Sequence, residues 1–417
     1  MSLLRSDAIA ARLGVGRWRN AALLGPAFVA AIAYVDPGNV AANITAGARY
    51  GFLLVWVLVM ANAIAMVIQY QSAKLGIVTG RSLPGLLGER LGDRSRKAFW
   101  VQAEVVAIAT DLAEVLGGAI ALNLLFHLPL ILGGVIVGII SLLMLIFQNQ
   151  RQQRIFERII VGLLAIVVIG FIASLFVNPP AAGDIASGLI PRLDGPESLL
   201  VAASMLGATV MPHAIYVHSS LVIDRHGVVD DVEHKRRLVR VTRVDVVIAL
   251  VIAGMVNIAL LLLAAENLRG KEGTDSIEGA YHAVAESVGP GLATAFAVGL
   301  LASGLAATAV GSSAGAAIMT GLLRVRIPMV LRRVITIIPA LVVLALGVDP
   351  TWALVLSQVV LSFGIPFAII PLGRFTGSRK LMGEFRDGLP LRLVAAVASA
   401  LIVALNLTLI VLMIVGS

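Results

Sequence analysis

The sequence predicts an all-α polytopic membrane protein of eleven transmembrane helices, ten of them in two groups of five. Three observations predict it. Of the 417 residues, 59% are hydrophobic and only 13% charged, with a mean hydropathy of +0.97; soluble domains carry about 25% charged residues. The apolar residues fall into runs long enough to cross about 30 Å of hydrocarbon, and none shows the ten-residue alternation of a membrane β-barrel. Finally, two of those runs are interrupted at mid-span by proline beside potential cation ligands, at Asp36-Pro37-Gly38-Asn39 and at Met211-Pro212-His213.

Residues 1–20 are polar and carry Arg5, Arg12, Arg17 and Arg19. The basic stretch is long, the apolar run behind it has spanning length, and no small-residue cleavage pattern intervenes, so no cleavable signal is expected. Spans are then expected at 21–46, 52–76, 98–125, 129–147, 157–177, 198–222, 245–265, 290–322, 327–347, 350–372 and 393–416. The longest polar connections are 178–197 and 266–289. The second contains Ser276 to Tyr281, where a surface helix can start. With no cysteine in the chain, disulfides, a thiolate metal site and a redox motif are excluded.

Loop charge sets the orientation. With the N-terminus in the cytoplasm and the spans alternating, all but four of the 32 basic residues fall inside. The four outside are Arg49, Arg192, Arg269 and Lys271. This asymmetry supports the span count and places the C-terminus outside. It also accounts for the net charge of +8 without nucleic acid as a partner. The basic 225–243 loop is a topology signal first and a lipid-headgroup contact second.

A carboxylate at bilayer depth costs about 2.5–3.5 kcal/mol even on a lenient scale, which makes Asp36 a functional candidate. Pro37 removes a helix N–H and Gly38 weakens the next position. Broken backbone at that depth is tolerated only within protein or against a polar cavity, where freed carbonyls can coordinate a cation. The sixth span repeats the device at Met211-Pro212-His213. Interrupted segments in corresponding positions of two halves point to a binding site at a repeat interface. Five is odd, so the second group starts from the opposite face. The expected units are therefore an inverted repeat, 21–177 and 198–372, with 393–416 appended. An ordinary proline kink is the competing reading at either position.

Asp36 offers a carboxylate, Asn39 a carboxamide oxygen, Met211 a thioether, and the backbone near Ala33 and Ala208 carbonyls. Oxygen ligands suit hard cations, whereas a thioether suits softer transition metals. The mixture favours Mn²⁺, Fe²⁺, Co²⁺, Zn²⁺ or Cd²⁺ over the alkaline earths, although a Met in an apolar helix is often simple packing. Gln69, Asn257 and Gln358 are polar at mid-span, where interhelical hydrogen bonding is the ordinary role. Gln358 precedes a break expected at Pro366 and can reach a central ion.

Glu104, Asp111 and Glu114 share one face of the third span. With His213 in span six they form a candidate proton relay. Arg332 and Arg333 open span nine and can pair with these acids. The plainer readings are that Glu104 pairs with a basic loop, that the two arginines are topology signals, and that His218 is a packing histidine.

With Asp36-Pro37-Gly38-Asn39 and Met211-Pro212-His213 in spans one and six, the sequence resembles the Nramp family, the natural resistance-associated macrophage proteins. It is most similar to the bacterial proton-dependent manganese transporters. The resemblance runs over essentially the whole chain. It includes Gly25-Pro26-Ala27-Phe28, the block from Gln102 to Glu114, Ser303-Gly304-Leu305 and Ser357-Gln358-Val359. It implies a LeuT-like five-plus-five inverted repeat with helices one and six broken. It also implies metal ligation by Asp36, Asn39, Met211 and the carbonyls of Ala33 and Ala208, with Gln358 joining in some states. The implied proton route runs through Asp36, His213, Asp111 and Glu114, with Arg332 and Arg333 further along. Ala214 departs from the larger or polar residue of other members, and Met211 argues against the magnesium-carrying relatives.

The expectation is a bacterial inner-membrane, multi-pass, proton-coupled importer of divalent transition metals, Mn²⁺ first and Fe²⁺ second. The metal is cargo and no cofactor is expected. The bilayer is the surrounding partner, with no nucleic acid and no obligate protein partner. The alternative is a sodium-coupled amino-acid carrier of the same architecture, which needs helix N-termini and glycine-rich backbone for a substrate carboxylate. An intramembrane metalloenzyme is disfavoured, because no His-Glu-x-x-His occurs and the six histidines do not cluster.

Overall fold

The structure, a computed structural model, describes residues 26–147, 179–270, 273–287, 289–323 and 328–415. The expected span at 157–177, the N-terminal basic stretch, Gly25, and the basic residues Arg151, Arg154, Arg158, Lys271, Arg324 and Arg326 lie outside these.

The described chain is helical. The expected first span divides into α1 (Pro26–Ala33) and α2 (Pro37–Tyr50), and α3 (Val55–Thr79) follows a 3-10 turn at Gly51–Leu54. Helix α3 stops at Gly80, whose φ of 65° is the left-handed conformation glycine adopts without a Cβ penalty. Next come α4 (Leu83–Arg90), α5 (Asp93–Phe126) and α6 (Leu130–Phe147). Beyond 178 the order is α7 (Ala182–Gly188), α8 (Gly195–Thr209), α9 (Pro212–His226) and α10 (Val232–Asn267). The rest are α11 (Ile277–Ser287), α12 (Pro290–Ile318) with a π turn at Met319–Leu323, α13 (Met329–Ala345), α14 (Pro350–Thr376), α15 (Arg379–Met382) and α16 (Leu389–Val415).

Among the described residues, seven helical stretches are long and apolar enough to cross a membrane, and Leu130–Leu143 is a shorter apolar one. The protein is therefore an all-helical, multi-pass membrane protein. Both interrupted spans sit at its centre. Every residue from Ala33 to Ala48 and from Val201 to Ser219 is buried. A helix buried on all sides belongs to the middle of a bundle. Around this pair, α10 packs on α2 and α3, α14 packs on α8, and α12 packs on α5. Small residues such as Ala41, Ala42, Ala46, Ala253 and Ala264 line these contacts and let backbones approach.

Two expectations need correction. The segment expected as a basic loop at 225–243 is helical from Val232, because Asp231 accepts from the His234 N–H at 2.7 Å and caps α10. Nor does Pro366 break its helix: α14 runs unbroken through both Pro366 and Pro371. A proline at 366 leaves the Ser362 carbonyl without its usual donor four residues on. Asn406 of α16 supplies one, donating from Nδ2 to that carbonyl at 2.9 Å. Asn406 Oδ1 in turn accepts from the Ser362 hydroxyl at 2.8 Å.

Candidate metal site

The two mid-span prolines act on the backbone in the same way. An α-helix pairs each carbonyl with the N–H four residues on. The partners of Ala33 and Ala208 would be Pro37 and Pro212, which have none. Each proline therefore ends one half-helix with an unclaimed carbonyl and starts the next at the position proline favours. The two carbonyls named as ligands from the sequence are thus the ones the prolines release.

Asp36 sits in the first gap as the N-cap of α2, with Oδ1 accepting from the Asn39 N–H at 2.7 Å. Its other oxygen, Oδ2, is buried and has no hydrogen-bond partner. Asn39 reaches across to the second gap and donates from Nδ2 to the Ala208 carbonyl at 2.8 Å. Met211 lies in that gap, fully buried. Gln358 also comes to the centre from α14. A Cβ on Gly38 would collide with its side-chain amide, and its Oε1 is buried and unpartnered. The structure therefore brings Asp36, Asn39, Ala208 and Gln358 together around the two gaps, with Met211 in the second. No cluster of three or more His, Cys, Asp or Glu is present among the described residues, so a cation held here would rely on one carboxylate and neutral donors.

The backbone of the first gap is bonded by side chains of other helices. The Tyr34 carbonyl accepts from Asn257 Nδ2 at 2.7 Å, and the Val35 carbonyl accepts from the Ser303 hydroxyl. Gln69 donates to the Tyr34 hydroxyl at 2.6 Å, and the other end of its amide meets His218 Nδ1 at 2.7 Å. Gln69 and Asn257 thus do the interhelical bonding expected of them. His218 is only half satisfied, because its Nε2 has no partner.

The titratable residues of the expected relay form a second layer beside the gaps. Arg333 is buried between Asp111 and Glu114; it pairs with Asp111 and lies 3.1 Å from Glu114 Oε2. Its remaining N–H groups go to Ser141 and Thr308, both at 3.1 Å. Arg332 meets Glu104 at 3.2 Å, so Glu104 pairs with a helix residue and not with a loop. His213, in the first turn of α9, touches Thr110 through Nδ1 at 3.2 Å. Gly117 explains how the layers meet: a Cβ there would strike the Pro37 ring, so α5 lies directly on the first gap. Neither Ser303, Thr110, Thr308, Ser141 nor Gly117 was singled out for a role from the sequence. Apart from the places of Ser303 and Thr110 in family blocks, a small or hydroxylated residue in an apolar helix carries no local signal of its partner.

Two discontinuous helices crossing at a buried polar centre define a membrane transporter of the broken-helix class. Residues 27–412 match the family described as natural resistance-associated macrophage protein-like. The chain belongs to the Nramp family, a family of transporters and not of enzymes. It is 58% identical over 394 residues to the divalent metal cation transporter MntH of Mycobacterium tuberculosis strain H37Rv, covering 94% of this chain and 92% of that one. Among solved structures it is similar to the manganese transporter of Eremococcus coleocola, at 31% identity and a TM-score of 0.82, over 94% of this chain and 86% of that one. Mhp1, a nucleobase-cation-symport-1 transporter, shares the fold at 18% identity and a TM-score of 0.60, over 94% and 92% of the two chains. That likeness identifies the architecture as the LeuT-like fold.

Proposed function

We propose that this chain imports divalent transition-metal ions, Mn²⁺ first and Fe²⁺ second, by alternating access around the gaps between α1 and α2 and between α8 and α9. The observation that carries this reading is the convergence at those gaps. Two prolines release the Ala33 and Ala208 carbonyls beside the unpartnered Asp36 Oδ2, the Asn39 carboxamide and the buried Met211. One anion and several neutral oxygens suit a divalent ion that sheds its water, and the thioether tilts the choice towards softer metals. The metal-transporter names of the relatives agree with it. Gln358 is assigned as a ligand in part of the cycle, since its side-chain amide lies against Gly38 and its Oε1 is unpartnered.

Proton coupling is the second part of the reading. Asp36 binds the metal and releases its proton to His213. Asp111 and Glu114 carry the proton onward, and Arg333, Arg332 and Glu104 complete the path. Support comes from the Thr110–His213 contact and from Arg333 holding both acids. In this reading the N-terminus is cytoplasmic, the C-terminus is outside the bacterial inner membrane, and 21–177 and 198–372 are the inverted repeats.

The test is Mn²⁺ entry into proteoliposomes with and without an inward proton gradient, with Ca²⁺ and Mg²⁺ as competitors. Proton-stimulated uptake indifferent to those competitors is the expected result. Uptake without proton dependence would keep the metal site and remove the relay. No Mn²⁺ uptake by folded protein would overturn the metal reading itself. The sodium-coupled amino-acid carrier is not favoured, because a carboxylate and a thioether occupy the place where a substrate carboxylate would need positive helix ends.

A further inference from the structure

We propose that the arginine-rich end of α10 holds the headgroup of an anionic phospholipid, on Arg240 and Arg243. This inference is independent of which ion is transported. Arg236, Arg240 and Arg243 follow at spacings of four and three, so they share one face of the helix, and all three are exposed. Further along α10 the exposed side chains are Val244, Val247, Ile248, Val251 and Met255. In a membrane protein this uncovered apolar face meets acyl chains. The change from guanidinium to hydrocarbon falls between Arg243 and Val244, which is the level at which lipid phosphates lie.

The charges at that level are not equally available. Arg236 is engaged by Glu233 at 2.5 Å and by Glu384 at 3.0 Å. Arg240 and Arg243 have no ion-pair partner among the described residues. A guanidinium offers a fork of N–H groups that matches phosphate, which makes two adjacent free arginines a better phosphate site than a diffuse basic field.

Helix α3 supplies the second wall. It runs antiparallel to α10, because Lys235 Nζ donates to the Val78 carbonyl at 3.0 Å while Asn62 fills the space beside Gly254. Tyr70 lies between these two anchor points and is partly exposed. On the other side, Arg240 borders an open cleft of about 570 Å³ shared with His234, Arg236 and Arg237. The carboxylates on its rim, Asp231 and Glu233, are taken up by the His234 N–H and by Arg236. The cleft therefore presents positive charge to a headgroup anchored on Arg240.

Native mass spectrometry of the full chain in detergent tests this, with dioleoylphosphatidylglycerol, dioleoylphosphatidylcholine and inorganic phosphate as probes. Wild type is expected to retain phosphatidylglycerol in preference to phosphatidylcholine. R240Q/R243Q is expected to weaken that binding on the order of thirtyfold, and the single R243Q about fivefold, at about 1 kcal/mol for each basic residue near a membrane surface. R240K/R243K should keep most of it. R94Q/K97Q, which removes the same charge from exposed positions on α5, should leave it unchanged. Should R240Q/R243Q fail to fold, R243Q and the lysine pair carry the comparison. Unaltered phosphatidylglycerol binding in R243Q, or an equal loss in R94Q/K97Q, overturns the site in favour of a general positive field. Displacement of the lipid by inorganic phosphate at equal concentration overturns the lipid assignment and leaves a small-anion site.

Discussion

The side-chain amide of Asn39 donates to the carbonyl of Ala208 at 2.8 Å, joining two residues 169 positions apart. The carbonyl is available because Pro212 cannot claim it, and Asn39 is at hand because Asp36 caps the helix that carries it. Each gap thus presents a group to the other. In the function proposed above, a metal ion would replace the Asn39–Ala208 bond with bonds to both oxygens, once the carboxamide turns.

The first prediction separates the charge of Asp36 from its capping role. Asparagine caps a helix about as well as aspartate, whereas alanine loses about 1 kcal/mol. Asp36→Asn should therefore fold like wild type and bring Mn²⁺ uptake down to the level of empty liposomes. Asp36→Ala should lose uptake and also melt at lower temperature. Near-normal uptake in Asp36→Asn would remove the carboxylate from the site.

Met211→Ala should keep a measurable part of Mn²⁺ uptake and lose discrimination against Ca²⁺, since only oxygen donors would remain. The check is competition: Ca²⁺ should inhibit Mn²⁺ entry in the variant and not in wild type. Unchanged selectivity would dispose of the thioether argument.

Arg333 is buried against two acids, and removing one partner of such a group leaves uncompensated charge, at about 3–5 kcal/mol. Arg333→Gln should lower the melting temperature of the detergent-solubilised protein. Adding Asp111→Asn in the same chain should recover part of the loss. A double variant less stable than the single one would mean that Asp111 is held chiefly by other groups.

Lys74 and Asp387 form a second buried pair, with Gln71 donating to Asp387 Oδ2 at 2.8 Å. It ties α3 to the segment between α15 and α16. Lys74→Met alone should destabilise strongly, whereas Lys74→Met with Asp387→Leu should come close to wild type. Thermal unfolding of the two variants side by side decides it.

Gly117→Ala puts a methyl group against the Pro37 ring. Overpacking of this kind costs about 1–3 kcal/mol. The variant should be less stable and slower in uptake, because the first gap would be displaced from α5. Gly183→Ala, at an exposed helix position that meets nothing within 4 Å, serves as the control and should lower neither.

The prolines and the mid-span acid were legible in the sequence because each works over a short range. A missing N–H releases a carbonyl four residues back, and a carboxylate in hydrocarbon is expensive wherever it sits. Gln358 was legible as a polar residue at mid-span, yet Pro366 was misleading. Whether a proline breaks a helix depends on what else can bond the orphaned carbonyl, and here that is Asn406, 44 residues further on.

The sequence alone determined that this chain crosses a membrane many times, breaks two of its helices and places polar side chains at the breaks. Periodicity, hydropathy and backbone chemistry are local and can be read in order along the chain. Only the tertiary structure decided which groups meet. It set Arg333 on Asp111 across 222 residues, Ser303 on the Val35 carbonyl and Gly117 under Pro37. In a low-dielectric interior every buried donor, acceptor and charge seeks a partner. Several partners satisfy the same residue equally well in sequence, and the packing of the helices leaves one within reach.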